Sequence, residues 1–222
     1  MGARLAGAGP RVRRFAVLSL LLMGAAASPC AEPVTSATPA ADMVRVLLND
    51  AAGAAVSALG RTDGFMGNPD VRIPLPGKLQ KASKTLRKLG ASKQTDALQL
   101  TMNRAAEAAV PEARALLLEA IRQLSIADAA ALIGGPADAA TEYFRRATSD
   151  QLMEKLLPVV YKTTSEVQLA SQYEAVVAKA SALGIMDDKD FSLEGYVTRK
   201  TLDGLFLMMA REEAAIRSIA PR

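Results

Sequence analysis

The 222-residue chain contains no histidine and no tryptophan, and it has a single cysteine. Without histidine, it lacks the general base of Ser-His-Asp and Cys-His triads and a common ligand of zinc and haem. One cysteine excludes an intramolecular disulfide. Residues 60–67 are rich in glycine, but they lack the Gly-Lys-Ser/Thr ending of a phosphate-binding loop. We therefore expect no cofactor and no metal site, and only chemistry that Asp, Glu, Lys, Ser or Tyr can perform.

Long apolar runs are also lacking after the first 27 residues. The run Phe15–Ala27 is shorter than the roughly 20 residues that cross a bilayer. Four arginines and no acid precede it, and it closes in small side chains, which is typical of a secretory signal. We predict a signal peptide over residues 1–27, a periplasmic location and no transmembrane segment in the processed protein.

Cys30 follows the predicted cleavage site and offers an alternative, in which a lipid attached to this cysteine anchors the protein. Pro29 argues against that alternative, because lipoprotein signals prefer a small, flexible residue before the cysteine. Residues 28–41 are rich in Pro, Ala, Ser and Thr without periodicity, which predicts a disordered leader. Residues 42–222 are enough for one domain with its own core.

The net charge of +4 comes from the four arginines of the signal, which leave 23 basic and 23 acidic residues in the predicted mature chain. This balance predicts no nucleic-acid partner. The stretch Lys78–Lys93 nevertheless holds six basic residues and no acid. Its helical spacing favours a solvated helix face, with a polyanion or membrane-surface site as the alternative.

Ala, Leu, Glu, Arg and Lys dominate the rest of the chain, and alternating strand patterns are lacking. We predict an all-α fold, a single irregular multi-helix bundle around a buried C-terminal helix. The predicted helices are Asp42–Leu59, Lys78–Leu89, Thr95–Ala109, one beginning at Pro111, a short one from Ser125-Asp128 to before Gly134, Pro136–Ala147, one capped by Ser149-Asp150 and restarted or kinked at Pro158 before about Ala182, and Val197–Ile219.

The last of these helices carries an apolar stripe, and its middle, residues 204–210, is apolar nearly all round. A helix apolar on every side is buried, which places it at the centre of the bundle. The stripe consists of Leu202, Leu205, Met209 and Ile216.

Residues 60–77 break the helical pattern with four glycines and three prolines. A structureless stretch of this length in a compact domain is usually functional or disordered. Its apolar side chains, which include Phe65, Met66 and Ile73, predict a loop pinned to the bundle. Asp63 and Asn68 are its candidates for contact with a ligand or partner.

Two polar clusters provide further candidates for binding, Asn103-Arg104 beside Glu107 and Tyr143 with Arg145 and Arg146. Ordinary ion pairs and arginine stems lying along apolar surface are the simpler interpretation of both clusters. An anion site or a partner-protein site is the alternative.

Glu212 and Glu213 lie roughly 50° to either side of the apolar stripe at 100° per residue. We predict that Glu212 pairs with Arg104, Arg145 or Arg146 at the edge of the core, with a functional carboxylate in a cavity as the alternative. The acids at 187, 188 and 190 lack the spacing of a calcium loop, which favours a turn.

Several segments resemble a bacterial family catalogued as domain of unknown function 4197. These segments are GRTDGFMGNPD at 60–70, IPLP at 73–76, MNRAAE at 102–107, AVPEA at 109–113, DAATEYFRR at 138–146, YVT at 196–198, LDGLF at 202–206 and EE at 212–213. The resemblance implies an exported helical envelope protein of unassigned function, with no catalytic residue to carry over.

The leading functional hypothesis is an exported helical binding or interaction module of the cell envelope, which holds an apolar ligand, an envelope component or another protein. One alternative is an Asp/Glu-dependent hydrolase acting on envelope material, and another is a structural protein that only oligomerises. An open pocket that holds Glu212 or Glu213 beside an arginine favours ligand binding or catalysis, whereas a closed bundle favours interaction.

Export gives the first testable prediction. N-terminal sequencing of the protein from the periplasmic fraction should give a start near Ser28, because the small residues that signal peptidase requires end at Ala27. An intact Met1 on cytoplasmic protein would contradict this prediction.

Overall fold

The computed structural model describes residues 39–88, 92–127, 129–182 and 192–219, and in these ranges the chain forms seven helices and no strand. The all-α prediction is therefore confirmed. The predicted signal, Cys30 and the acids at 187–190 lie outside the described residues. The helices are α1 Pro39–Leu59, α2 Gly77–Lys88, α3 Ser92–Gln123, α4 Ala129–Gly134, α5 Ala139–Glu166, α6 Leu169–Ala182 and α7 Leu193–Ile219.

Helix α1 begins three residues before the predicted start at Asp42. The last residues of the predicted leader, 39–41, are therefore helical, and Ala41 is buried. In the described ranges, none of the helices has both the length and the apolar character that a membrane span requires.

Two prolines that were predicted to begin or interrupt helices lie inside longer ones, Pro111 in α3 and Pro158 in α5. A proline inside a helix costs about 3 kcal/mol or more, because it removes a backbone hydrogen bond and crowds the preceding turn. Both prolines are exposed, and buried residues on both sides of each join the same core, which offsets that cost. Helix α5 ends instead just before Gln168, whose φ of 55° is the left-handed conformation common after a helix C-terminus.

Helix α7 packs against α1, α3 and α5, as expected for a central helix. Leu202, Leu205 and Met209 are buried as predicted. Leu207 and Ile216 are 37% and 36% exposed, so α7 is buried on a broad face and not all round. Helix α3 contacts even more neighbours, because α1, α2, α5, α6 and α7 all pack against it. The two helices share the centre of the bundle.

The loop of residues 60–76 packs into the bundle, which confirms the prediction of a pinned loop. Phe65 and Ile73 are fully buried, and Val71 and Leu75 are nearly so. The Phe65 ring lies against the backbone of α7 at Gly204, where an added Cβ would come within 2.7 Å of its Cε1 atom. Glycine at 204 is what allows the ring to fit.

Two glycine-to-alanine substitutions in helices should therefore change the free energy of unfolding in opposite directions, depending on whether the glycine makes such a contact. Gly204→Ala should lower the free energy of unfolding by about 1–3 kcal/mol, because the methyl group overpacks the site of the Phe65 ring. Gly53→Ala in α1, where nothing lies within 4 Å of an added Cβ, should raise it by up to about 1 kcal/mol through helix propensity. Urea denaturation followed by circular dichroism measures both.

A smaller side chain at position 65 provides the control. In a Phe65→Leu background the cost of Gly204→Ala should shrink by at least about 0.5 kcal/mol, as expected for residues in contact. Additive effects of the two substitutions would show that the ring does not limit the space at Gly204.

Candidate functional site

Glu107 lies on α3 under the 60–76 loop and is 4% exposed. Its Oε1 accepts hydrogen bonds from the backbone N–H groups of Phe65 at 3.0 Å and Met66 at 3.1 Å. Its Oε2 accepts one from Arg104 at 2.6 Å. A buried carboxylate is tolerated only when paired and hydrogen-bonded, and Glu107 meets both conditions while holding the first turn of the loop.

Arg104 joins the same group from the edge of the core. Its guanidinium also binds the Asp63 carboxylate at 2.8 Å, and the hydrogen bond to Glu107 is the main cause that raises the pKa of Arg104. Asp63 has a φ of 63°, a left-handed conformation in which Asp is enriched among non-glycine residues. The ion pair thus fastens a turn with an unusual backbone conformation.

Asn103 binds the later part of the loop and is fully buried. Its Oδ1 accepts a hydrogen bond from Ile73 N–H at 2.8 Å, and its Nδ2 donates to Ile73 C=O at 2.9 Å and to Gln99 C=O at 2.7 Å. The amide therefore pairs with both backbone groups of Ile73, as a neighbouring strand would.

Helix α7 holds the outer side of the loop. Arg211 pairs with Asp70 at 2.9 Å, and the Tyr196 hydroxyl donates to Pro74 C=O at 3.0 Å. Asn68 places its Nδ2 4.0 Å from the Met208 sulfur. Four of the predicted site residues thus meet around this loop, and each fixes its conformation. They are Asp63, Asn68, Asn103 and Arg104.

Glu213 on α7 forms a second buried carboxylate site and is fully buried. Its two oxygens accept hydrogen bonds from the N–H groups of Ala140 at 3.0 Å and Thr141 at 2.7 Å, in the first turn of α5. Arg217 pairs with it at 2.7 Å and donates to the carbonyls of Leu132 and Ile133 near the end of α4. The anion meets a helix N-terminus and the cation a helix C-terminus, so both charges suit the helix dipoles.

The prediction that Glu212 pairs with Arg104, Arg145 or Arg146 is wrong. Glu212 is half-buried, and within the described ranges its carboxylate contacts none of these arginines. The predicted stripe left out Phe206, whose inclusion turns the centre of the buried face from between the two glutamates toward Glu213; the buried face runs from Phe206 and Met209 to Glu213. The i, i+3 and i+7 spacing of those three residues is the signal that was missed.

The second polar cluster forms no joint site. The Tyr143 hydroxyl donates to Ser125 C=O at 2.5 Å. Arg145 pairs with Asp203 at 3.5 Å and lies over the Phe206 ring, 5.8 Å from its centroid. Arg146 is exposed. These contacts tie α5 to the α3–α4 connection and to α7.

A surface cavity of about 280 Å³ lies between the end of α3 and α5, with Tyr143 in its wall. Its lining contains no charged residue, and neither Glu212 nor Glu213 contributes to it. In the described part of the chain, no group of three or more Asp, Glu or Cys residues is arranged to hold a metal ion. The cavity lining consists of Ala120, Gln123, Leu124, Ser125, Tyr143, Ala147, Thr148 and Gln151.

The two glutamates at 212 and 213 allow a matched test of these roles. Glu213→Gln should lower the free energy of unfolding by about 3 kcal/mol, because it leaves Arg217 without its buried partner. Glu212→Gln should stay within about 0.5 kcal/mol of wild type, as is usual away from such features. Urea titration followed by circular dichroism is suitable, since the chain has no tryptophan. Equal effects at the two positions would contradict the assignment.

A family model described as "Protein of unknown function (DUF4197)" matches residues 34–220. Neither a curated protein nor a solved structure matches the chain significantly.

Proposed function

Because the chain belongs to the DUF4197 family, whose function is unknown, we propose a function from its own residues: an exported, non-catalytic binding or interaction module of the bacterial cell envelope, working in the periplasm. The proposal takes its location from the predicted export signal and its non-catalytic character from the buried acids.

The observation that carries the proposal is that hydrogen bonds and an ion pair already occupy the carboxylates of both buried glutamates. Glu107 and Glu213 each accept two backbone N–H groups and pair with an arginine of their own helix. A general acid or base must exchange its proton with a substrate within hydrogen-bond reach. Carboxylates committed to the backbone in this way support the fold and leave no lone acid in the core of the described chain.

The rival hydrolase needs a carboxylate where a substrate can bind. The cavity beside Tyr143 has no Asp, Glu, Lys or Arg in its lining, and the Glu212–arginine site that motivated this rival does not form. Both observations favour interaction with an envelope component over hydrolysis.

The location is supported by the basic segment and the apolar run before Ala27. The family match begins at residue 34, beyond the predicted cleavage site. Removal of residues 1–27 would therefore leave the whole matched region in the processed protein.

Co-sedimentation with fractionated envelopes tests the proposal. The processed protein should sediment with isolated membranes or peptidoglycan in a saturable manner, because a binding module forms a stoichiometric complex. Mass spectrometry of the supernatant should show no released fragment. Fragments whose release is lost in Glu212→Gln would establish the hydrolase instead, and a soluble protein that sediments with no fraction would refute the envelope module.

A further inference from the structure

The basic residues of this chain are concentrated in one segment. Between Asp70 and Asp96 there are seven Lys or Arg and no acid, whereas the rest of residues 28–222 has 16 basic residues against 23 acidic ones. A neutral total therefore conceals a strongly positive segment on an acidic background. Such an asymmetry orients a protein at a charged surface.

Helix α2 places three lysines of this segment on one exposed face. Leu79 and Leu86 are buried against the bundle, whereas Lys81, Lys84 and Lys88 are exposed. At 100° per residue, the three lysines fall within about 60° of one another, opposite the buried leucines. Lys93, exposed at the start of α3, follows in sequence. We call Lys81, Lys84 and Lys88 the basic face.

The charges of this face are not neutralised within the described part of the chain. Arg87 is paired with Asp96 at 2.7 Å, but Lys81, Lys84 and Lys88 have no ion-pair partner among the described residues. An external anion can approach these exposed lysines at little cost in desolvation, so the lysines are available for binding.

We propose that the basic face docks the processed protein onto the surface of an anionic bilayer, through lipid phosphate headgroups. This deepens the proposed envelope function and rests on it. Each Lys or Arg near such a surface contributes about 1 kcal/mol, which is roughly fivefold in the partition coefficient.

Other anionic partners fit this face less well. Single-stranded nucleic acids are bound on aromatic platforms, and the sequence has no aromatic residue between Phe65 and Tyr143. The cores of protein–protein interfaces are depleted in lysine and enriched in aromatic residues. The exposed side chains described on α2 are all polar, namely Gln80, Lys81, Lys84, Thr85, Arg87 and Lys88. Because its exposed side chains are all polar, the basic face suits a layer of lipid headgroups.

Vesicle sedimentation of residues 28–222 tests the docking. This form contains all of the compact unit that begins at Ala37, and its use makes the result independent of export. It should bind vesicles of about one third phosphatidylglycerol and two thirds phosphatidylcholine, but not pure phosphatidylcholine. Binding should vanish between ionic strengths of about 0.01 M and 1 M, over which the Debye length falls from roughly 30 Å to 3 Å.

The variant Lys81→Gln, Lys84→Gln, Lys88→Gln should lower the partition coefficient on the order of 100-fold, as three fivefold contributions require. The matched control is Arg114→Gln, Lys155→Gln, Arg199→Gln, which removes the same charge from exposed positions on other helices and should lower it less than tenfold. Circular dichroism should show both variants folded, because none of the six side chains is buried.

Three results would overturn the docking proposal: no binding to the anionic vesicles at low ionic strength, equal loss in the two variants, or tighter binding to DNA or to an acidic protein than to vesicles. Failure here would leave the envelope module standing if the protein still co-sediments with peptidoglycan, which contains no lipid bilayer. Conversely, vesicle binding by a protein found only in the cytoplasm would refute the envelope function and not the docking.

Discussion

Two buried glutamates hold the irregular parts of this bundle in place, and the rest of the fold depends on them. Each carboxylate accepts hydrogen bonds from two consecutive backbone N–H groups, Glu107 in the 60–76 loop and Glu213 at the start of α5. Buried N–H groups without partners are costly. The loop leaves helical geometry inside the core, and the first N–H groups of α5 have no acceptor within their own helix. In both places a carboxylate supplies the missing acceptors.

Each of these glutamates is neutralised by an arginine on its own helix, Arg104 at i−3 and Arg217 at i+4. Charge and hydrogen bonds are therefore balanced locally, without recruiting a distant cation. This arrangement explains why polar residues in the middle of an Ala-rich helix resemble a binding site in the sequence. Their partners are the backbone of the same molecule.

The sequence predicts the all-α fold and the central position of the last helix, because apolar periodicity indicates both. It also predicts the pinned loop, because glycine and proline interrupt the helical pattern there. Helix boundaries at Pro111 and Pro158 were not predictable, because burial on both sides of each proline outweighs its local cost. Glu212 and Glu213 are about 100° apart around the helix axis. A stripe of four residues does not define the direction of the buried face well enough to decide which of the two is buried. The partners of Asn103 and Glu107 in the loop are backbone groups, which no side-chain pattern reveals.

Closure of the 60–76 loop requires residues from the far end of the chain. Asn68 and Met208 are 140 positions apart, and Gly204 supplies the surface against which Phe65 packs. During synthesis from the N-terminus, α3 can bind the loop first, but its contacts with Gly204, Tyr196 and Arg211 form only after α7 has emerged. Contacts of such long sequence separation form late and slowly, so the side of the loop that faces α7 stays open until most of the chain has been made. An unfinished fold is the state in which a chain can be threaded through a narrow channel.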